Sequence, residues 1–425
     1  MKQLSPNVPL ETEISDFLRT DVYFQMCKMI CNKLGIGELH IVHGYMEEEE
    51  RNWSVGENKG WSNVDDQSTT YWSLTSPEEL LGFMDSSLIF TRGNYATLHN
   101  WLKQHSLEHD NQFWLHYPAT SMRFPHLDHF SKGAKKDGKN QTSTINLENL
   151  LAGMKIEHNI GRVTDQKIES FNDLISYFED QRNQEIGGPY SLILSDDRYN
   201  VKSLKNVFPT SSVQTFIKPA VWNDIQIERE RKYDLIYCGT TLQSTKNHHC
   251  FIQLMKYLDV FSDKKLNILI AGNKDDSSIF TSFFNHPFSN LEIFNKGEVS
   301  REELQSLFSQ SKTTLITSGR DANPRVIQES LVNGARVMAI NSLSDGLDFL
   351  NSNPLLGSVL MSDPDRWYYS RNGNLEFKPS MRLASLIASE IDKSNFPDLV
   401  MRISRKKLSV QESVKSLITT IRSFR

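Results

Sequence analysis

The feature that most constrains the fold is a strand–loop–helix–strand unit in the second half of the chain. Residues 313–317 form a short β-branched run typical of a strand, and residues 335–340 predict a second buried strand. Between them, Asn323 is a good helix N-cap, Pro324 suits the first helical position, and Gly334 marks the end of the helix. In open α/β sheets, ligands bind at the carboxyl ends of the strands, where a helix N-terminus presents free N–H groups to an anion. The unit therefore predicts a phosphate-binding site.

Two acidic residues of this unit carry a sharper signal. Asp321 lies in the loop, and Glu329 lies eight positions later in the predicted helix. At about 1.5 Å per residue, the second carboxylate is roughly 8 Å along the helix from its cap. One carboxylate can therefore reach a sugar next to bound phosphate groups, while the other reaches the nucleoside end. This arrangement resembles the Glu-x7-Glu motif of retaining GT-B-fold glycosyltransferases, family 4 in particular, with a shorter aspartate at the first position.

The resemblance implies an α/β protein with two Rossmann-like, doubly wound domains that face each other across a cleft. Its implied activity is the transfer of a sugar, with retention, from a nucleotide-sugar donor to a carbohydrate, lipid-linked or other hydroxyl acceptor. We expect neither a metal nor another cofactor. In these terms Asp321 is a catalytic residue on the sugar side, Glu329 binds the donor ribose, and Asn323 belongs to the donor site.

A second loop carries the same resemblance. It follows a strand-like run and contains Gly239, Thr240 and Lys246 ahead of an apolar helical pattern. In the family this loop carries a glycine, an arginine and a lysine, and its two cations hold the donor diphosphate. Gly239 and Lys246 match that pattern, although the lysine comes one residue later than usual. Thr240 stands where the arginine is expected, so Arg320 or Arg325 beside the acidic motif is the candidate for the second charge.

The remainder of this half continues to alternate strand and helix. Residues 266–272 and 291–294 predict strands, and a capping box made by Ser300 and Glu303 starts the next helix. In the family, the short turn before that helix borders the nucleobase, which makes Val299 a donor-site candidate. Such alternation is what a doubly wound parallel sheet requires.

The first half of the chain is less regular. Strands are predicted in five short runs, at residues 38–43, 87–91, 112–116, 190–194 and 213–217. Two polar stretches, residues 47–70 and 131–144, predict surface loops. The resemblance implies an acceptor-side domain over residues 1–217, a donor-binding domain over 218–400, and a C-terminal helix over 401–425 that packs back on the first domain.

Two residues at the ends of predicted strands are candidates for the acceptor side of the cleft. His116 ends one strand and Arg92 follows another, so both would project at the carboxyl edge of the sheet. Family members often carry a histidine of the first domain near the transferred sugar, and His116 is the candidate for that place. In the retaining mechanism usually proposed for the family, the leaving phosphate itself takes the acceptor proton, so His116 would position rather than titrate. The alternative is a buried histidine satisfied by a backbone carbonyl.

The last predicted helix is amphipathic. Its apolar face consists of Val410, Val414, Leu417, Ile418, Ile421 and Phe424. One interpretation is that this face docks on the first domain, which the polar serines opposite and the lack of tryptophan favour. The other is a peripheral membrane contact, because basic residues precede the helix and suit anionic lipid.

Composition and motifs exclude several other classes. A net charge of −5 gives no general attraction to nucleic acid. The sequence has neither a secretory signal nor 18 consecutive apolar residues, so we expect a cytoplasmic protein. No glycine-rich dinucleotide, Walker or nucleophile-elbow motif is present, and the cysteines lack metal-type spacing. Two alternatives remain beside the transferase: a catalytically inactive nucleotide-sugar-binding protein on the same fold, and a nucleotide-sugar epimerase.

Overall fold

The structure is a computed structural model with fifteen strands and nine helices in the part of the chain that it describes. The described residues are 21–36, 39–43, 59–62, 69–73, 88–93, 113–118, 190–195, 201, 204–205, 208–222, 230–239, 246–272, 278–319, 321, 324–342, 346–360, 367–369, 375–393 and 396–424. The strands are β1 (Leu39–His43), β2 (Lys59–Ser62), β3 (Thr69–Ser73), β4 (Leu88–Gly93), β5 (Phe113–Pro118), β6 (Tyr190–Ser195), β7 (Ser212–Thr215), β8 (Tyr233–Cys238), β9 (Leu266–Ala271), β10 (Leu291–Asn295), β11 (Ser311–Ile316), β12 (Arg336–Ile340), β13 (Gly357–Leu360), β14 (Trp367–Tyr369) and β15 (Leu375–Phe377). The helices are α1 (Val22–Leu34), α2 (His248–Phe261), α3 (Ser278–Phe284), α4 (Arg301–Ser309), α5 (Arg325–Val332), α6 (Leu347–Asn351), α7 (Met381–Asp392), α8 (Pro397–Lys407) and α9 (Val410–Phe424).

The larger sheet has six strands in the order β10-β9-β8-β11-β12-β13. All neighbouring strands in it are parallel. The chain steps outward from β8 to β10, returns to β11 on the other side of β8, and steps outward again. The strand order therefore reverses between β8 and β11. That reversal is the topological switch point, where open α/β sheets bind their ligands.

Strand β8 shows how both faces of this sheet are covered. Leu235 and Tyr237 pack in the cluster that contains Phe251 of α2. Ile236, between them, packs on the opposite face with Phe308 of α4. Because side chains alternate between the two faces, a strand with helices on both sides must be apolar almost throughout. This sheet is doubly wound, as the sequence predicts.

The first half of the chain forms two further sheets. Strands β4-β5-β6-β7 make a four-stranded parallel sheet, and β1-β3-β2 make a three-stranded sheet. In the smaller sheet β1 and β3 are parallel, whereas β2 and β3 are antiparallel. Strand β2 lies inside the polar stretch 47–70 that the sequence predicts as a loop. For residues 59–62 that prediction was wrong, because pairing with β3, a tertiary contact, decides the conformation of a segment with little apolar pattern of its own.

Helix α9 packs on the four-stranded sheet and on α1. Its residues Val414, Leu417 and Ile421 share one buried cluster with Ile30 of α1 and Leu192 of β6. The described residues of the apolar face, which the sequence also offered to a membrane, are therefore covered by protein. Within the described ranges, no helix combines the length and apolarity needed to cross a membrane.

The chain passes twice between the six-stranded and the four-stranded sheets, near residue 218 and near residue 408, and the two passing segments contact each other. The backbone N–H of Ala220 donates to the carbonyl of Leu408 over 2.9 Å. The Ser413 hydroxyl donates to the carbonyl of Ile217, also over 2.9 Å. Helix α8 spans residue 400, the predicted end of the second domain, and its Val400 is buried with Leu331 of α5. The tail therefore differs from the single helix expected over 401–425, because a capped break at residues 408–409 separates α8 from α9.

Candidate functional site

Glycine residues end the strands at the carboxyl edge of the larger sheet. After β8, the N–H of Gly239 donates to the carbonyl of Ala271 over 3.2 Å. After β9, Gly272 has φ +81°, and its N–H donates to the carbonyl of Gly297 over 2.6 Å. A Cβ added at Gly239 would lie 3.1 Å from the ring of His248. At these two positions the edge is backbone without side chains, which lets a ligand approach closely.

The turn into α2 is held from below by side chains of β8 and β11. Thr317 donates its hydroxyl to the carbonyl of Lys246 over 2.7 Å, and Tyr237 donates to the same carbonyl over 3.1 Å. Burial raises the pKa of Tyr237, so the phenol keeps its proton for this bond. The Tyr237 hydroxyl has only one proton, and it donates that proton to the carbonyl of Lys246. In the 2.9 Å contact between Tyr237 and His248, the donor is therefore the N–H at Nδ1 of His248.

Asn247 caps α2 in a left-handed conformation, with φ 55° and ψ 53°. Its side chain is 2% exposed and forms no cap hydrogen bond. Neither its amide nitrogen nor its amide oxygen has a hydrogen-bond partner in the described part of the chain. A buried polar group at a helix N-terminus without a partner is suited to a ligand that supplies one. Sequence analysis did not single out Asn247, although asparagine is among the residues most tolerant of this conformation.

An ion pair bridges the two loops at the switch point. The ammonium of Lys246, after β8, lies 2.5 Å from the carboxylate of Asp321, after β11. Their side chains are 16% and 18% exposed, so solvent screens this pair less than a surface pair. The fold thereby joins two motifs that lie 75 residues apart in the sequence.

The second motif carboxylate is paired as well, with a residue that sequence analysis did not single out. Glu329 is buried on α5, and its Oε1 lies 3.1 Å from a terminal nitrogen of Arg301 on α4. Arg301 is the first residue of its helix. A cation is disfavoured at the positive end of a helix dipole. An arginine directly after the Ser300 cap was therefore the sequence signal that this residue needs an acidic partner.

The Cys238 thiol, at the end of β8, is under the influence of both pairs. Burial is the largest cause that raises its pKa, and the negative charge of Glu329 raises it further. The positive charge of Lys246 acts in the opposite direction. Both charged groups therefore lie within electrostatic reach of a single strand end, and the two ion pairs belong to one site.

Comparison with known proteins addresses the fold. No family model matches the sequence, and no curated protein matches it. Among solved structures, sucrose-phosphate synthase from Thermosynechococcus elongatus is similar with a TM-score of 0.52 and 11% identity, over 95% of this chain and 91% of that one. A trehalose-6-phosphate synthase is similar with a TM-score of 0.51 and 9% identity, over 95% and 94%. An E. coli trehalose-6-phosphate structure bound with UDP-2-fluoro glucose gives a TM-score of 0.53 at 9% identity, over 94% and 95%.

The chain has the GT-B fold. At such low identity the likeness establishes the fold alone. In GT-B terms, the six-stranded sheet belongs to the second of two Rossmann-like domains, and the site described above lies at the carboxyl edge of that domain.

Several predicted donor-site residues lie near this edge or outside the described residues. Arg325 is half-buried and begins α5, so the helix starts one residue later than predicted, with Pro324 as its cap residue. Val299 is half-buried against the cluster of Tyr233 and Phe308. The predicted residues outside the described ranges are Thr240, Arg320 and Asn323.

His116 lies on β5 of the first domain and is only 1% exposed. Its Nδ1 is 2.8 Å from the hydroxyl of Thr91, and its ring is 4.7 Å from the ring of Tyr190. Burial lowers its pKa to about 3, so the imidazole is neutral at physiological pH and is a weak base. The neighbouring Arg92 is described only in its backbone, at the end of β4.

Metal-ligating side chains do not gather in the described ranges. No group of three or more histidine, cysteine, aspartate or glutamate residues is close enough there to hold an ion. What the carboxyl edge does provide is a glycine-lined backbone, a free asparagine amide, two cations and two carboxylates. These groups suit a ligand that carries phosphate at one end and hydroxyl groups at the other.

Proposed function

We propose that the protein is a retaining glycosyltransferase that moves a sugar from a nucleotide-sugar donor to a hydroxyl group of a glycan or lipid-linked acceptor. The observation that carries the proposal is the contact between Lys246 and Asp321 at the switch point. The contact joins a cation suited to bind phosphate and a carboxylate suited to bind sugar hydroxyls, at the place where open α/β sheets bind ligands. Similar structures support the proposal. One is of a trehalose-6-phosphate synthase described as an enzyme of glycosyltransfer with retention, and another is bound with UDP-2-fluoro glucose.

The donor diphosphate would lie across Gly239 and the start of α2. An ammonium group has three protons, so Lys246 can bind Asp321 and a phosphate oxygen at the same time. The buried amide of Asn247 can donate to the same phosphate. Arg325, at the start of α5, is the candidate for the second cation, together with the free N–H groups of that helix.

The leaving group determines the chemistry that the site must support. Negative charge develops on the departing diphosphate, and fixed cations with helix N–H groups stabilise it in the transition state. We therefore propose a metal-independent reaction. In a retaining transfer the leaving phosphate can accept the proton of the acceptor hydroxyl on the same face of the sugar. His116, with its pKa of about 3, then acts by position and not as a base.

The two motif carboxylates divide the donor between them. Asp321 is proposed to face the sugar and Glu329 the ribose, because a carboxylate accepts two strong hydrogen bonds from a diol. Residues 1–217 are proposed as the acceptor-side domain, and the donor-binding domain is proposed to begin at 218. We propose that this domain covers residues 218–400 and also takes in the rest of α8, which the burial of Val400 with Leu331 supports.

The test is a panel of nucleotide sugars incubated with the protein. Release of free nucleotide by slow donor hydrolysis, or transfer to a hydroxyl acceptor with the anomeric configuration kept, supports the proposal. Inversion at the anomeric carbon contradicts the retaining part of it. An epimerised nucleotide sugar as product identifies an epimerase instead.

One further outcome has its own support. Tight binding of a nucleotide sugar without any turnover would identify a catalytically inactive binding protein. Two sequence departures favour that candidate: aspartate at position 321 in place of glutamate, and Thr240 in place of an arginine. Complete absence of binding across the panel contradicts both candidates.

A further inference from the structure

Arg301 occupies an unusual position for a cation. It is the first residue of α4, directly after the cap residue Ser300, whose hydroxyl accepts from the N–H of Glu303 over 3.1 Å. The helix dipole makes this end positive, which favours the neighbouring acids Glu302 and Glu303 and disfavours an arginine. The compensating charge comes from another helix, because the guanidinium lies 3.1 Å from Glu329 of α5.

The pair is largely removed from solvent. The Arg301 side chain is 22% exposed and the Glu329 side chain is 11% exposed. A carboxylate in such a place is costly unless a cation compensates it. The contact has the distance of an ion pair without the alignment of a hydrogen bond. A carboxylate has about four acceptor positions on its two oxygens, so the contact of Oε1 with Arg301 leaves positions for further hydrogen bonds.

The orientation of a glutamate carboxylate is poorly fixed by its own side chain. Its last torsion has a broad distribution, unlike the staggered torsions nearer the backbone. A neighbouring guanidinium is a fixed, planar charge that favours one orientation of the carboxylate. Removing it leaves Glu329 free to turn, without removing the carboxylate itself.

We propose that Arg301 is a positioning residue that holds Glu329 ready to accept hydrogen bonds from both ribose hydroxyls of the donor. The pair would then make the site select ribonucleotides over 2′-deoxyribonucleotides. This inference rests on the proposed function, since it assigns the nucleoside end of the same donor site. A carboxylate held for a diol loses one charge-assisted hydrogen bond when the 2′-hydroxyl is missing.

A purely structural role is the competing explanation. The pair also ties α4 to α5, so its loss could lower stability without touching recognition. Such a tie would weaken ribo- and deoxyribonucleotide binding by the same factor. The ratio of the two dissociation constants therefore separates the explanations.

The experiment is calorimetric titration with UDP, ADP and GDP and with their 2′-deoxy counterparts. For the nucleotide that binds most tightly, we expect the parent protein to prefer the ribo form by roughly 10- to 100-fold, the range for one hydrogen bond to a charged group. Arg301→Ala should reduce that preference to about the level of Glu329→Gln, whereas Arg301→Lys should keep part of it. The double variant should be no worse than either single variant, because the two residues act as a unit.

The matched control is Arg336→Ala. Arg336 also forms a partly buried ion pair, 3.5 Å from Glu390, but at the start of β12 and away from the carboxyl edge. It should leave the ribo-to-deoxy ratio unchanged even if it lowers the melting temperature.

The outcomes separate this inference from the proposed function. If the parent binds nucleotides but Arg301→Ala keeps the full ratio, or if the parent has no preference, the inference fails while the proposed function stands. If the parent binds none of the six nucleotides, both fail. If Arg301→Ala does not fold, Arg301→Lys takes its place. The inference is overturned if Arg301→Lys and Glu329→Gln both keep the ribo-to-deoxy ratio of the parent.

Discussion

Lys246 has the clearest individual assignment, because its ammonium is fixed beside Asp321 at the switch point. We expect Lys246→Ala to lower the rate of donor hydrolysis and transfer by roughly 100-fold or more, the usual effect of losing one preorganised charge donor at a leaving group. Initial rates at saturating donor provide the measurement.

A second lysine of the same sheet provides the matched control. Lys312 forms an ion pair of equal length, 2.5 Å, with Asp234, but it lies at the amino ends of β11 and β8. Lys312→Ala should leave the rate close to that of the parent. Equal losses in the two variants would mean that ion pairing supports the fold and not the chemistry.

The two motif carboxylates should respond differently to loss of charge. Glu329→Gln should raise the donor dissociation constant by roughly tenfold, because a neutral amide accepts weaker hydrogen bonds from ribose. Asp321→Asn should mainly lower turnover, since its partner Lys246 is proposed to bind the leaving diphosphate. Steady-state kinetics combined with donor titration separates the two effects. Variants that both behave like the parent would refute the motif assignment.

His116 should make stability depend on pH. Above about pH 6.5 the residue is neutral in both states, whereas below it the unfolded chain binds a proton that the folded protein rejects until about pH 3. Stability is therefore lost as pH falls, by about 1–2 kcal/mol between pH 7 and pH 5 from this residue alone. Denaturant unfolding of the parent and of His116→Asn at both pH values measures it. Parallel pH profiles would contradict the buried neutral state.

At the scale of elements, α9 should contribute stability through its buried face. Leu417 is fully buried in the cluster shared with α1 and β6. We expect Leu417→Ala to cost about 2–5 kcal/mol of unfolding free energy, as large-to-small changes in a core do. Thr419→Ala, on the exposed side of the same helix, is the control and should cost little.

The same helix separates docking from membrane contact. With its apolar face buried, the folded protein should show little affinity for anionic liposomes. Strong liposome binding that disappears when residues 408–425 are deleted, with the rest of the fold intact, would show that the helix can leave its docking place.

The elements that sequence analysis predicted best are those whose local pattern and tertiary environment agree. Buried parallel strands such as β8 and β9 are apolar except for one polar residue at their second position. The Ser300 capping box predicts α4 at the residue where the helix begins. Strand β2 was missed because its residues carry no apolar pattern, and only its partner β3 determines its conformation. The start of α5 was displaced by one residue, a normal uncertainty at helix ends.

At the scale of the whole molecule, the features of the site that depend on local sequence could also be predicted, and those that depend on tertiary packing could not. Spacing within one segment predicted that Asp321 and Glu329 belong together. The partner of each carboxylate depends on how separate strands and helices pack, which a sequence does not state. Lys246 was identified through its own motif, but Arg301 has no motif, and only the packing of α4 beside α5 brings it to Glu329. Asn247 was missed for a related reason, since its lack of a partner is a property of the folded chain.

The charge of the whole donor site leads to the final prediction. The protein has a net charge of −5, yet cations from different segments gather at the carboxyl edge: Lys246 before α2, Arg301 on α4 and Arg325 on α5. We propose that Lys246, Arg325 and the helix N–H groups stabilise the departing diphosphate, which is the task of a divalent ion in metal-dependent transferases. Transfer should therefore persist at full rate in excess EDTA, and added magnesium or manganese should not increase it. Activity that is lost with the chelator and restored by either metal would contradict this assignment of the charges.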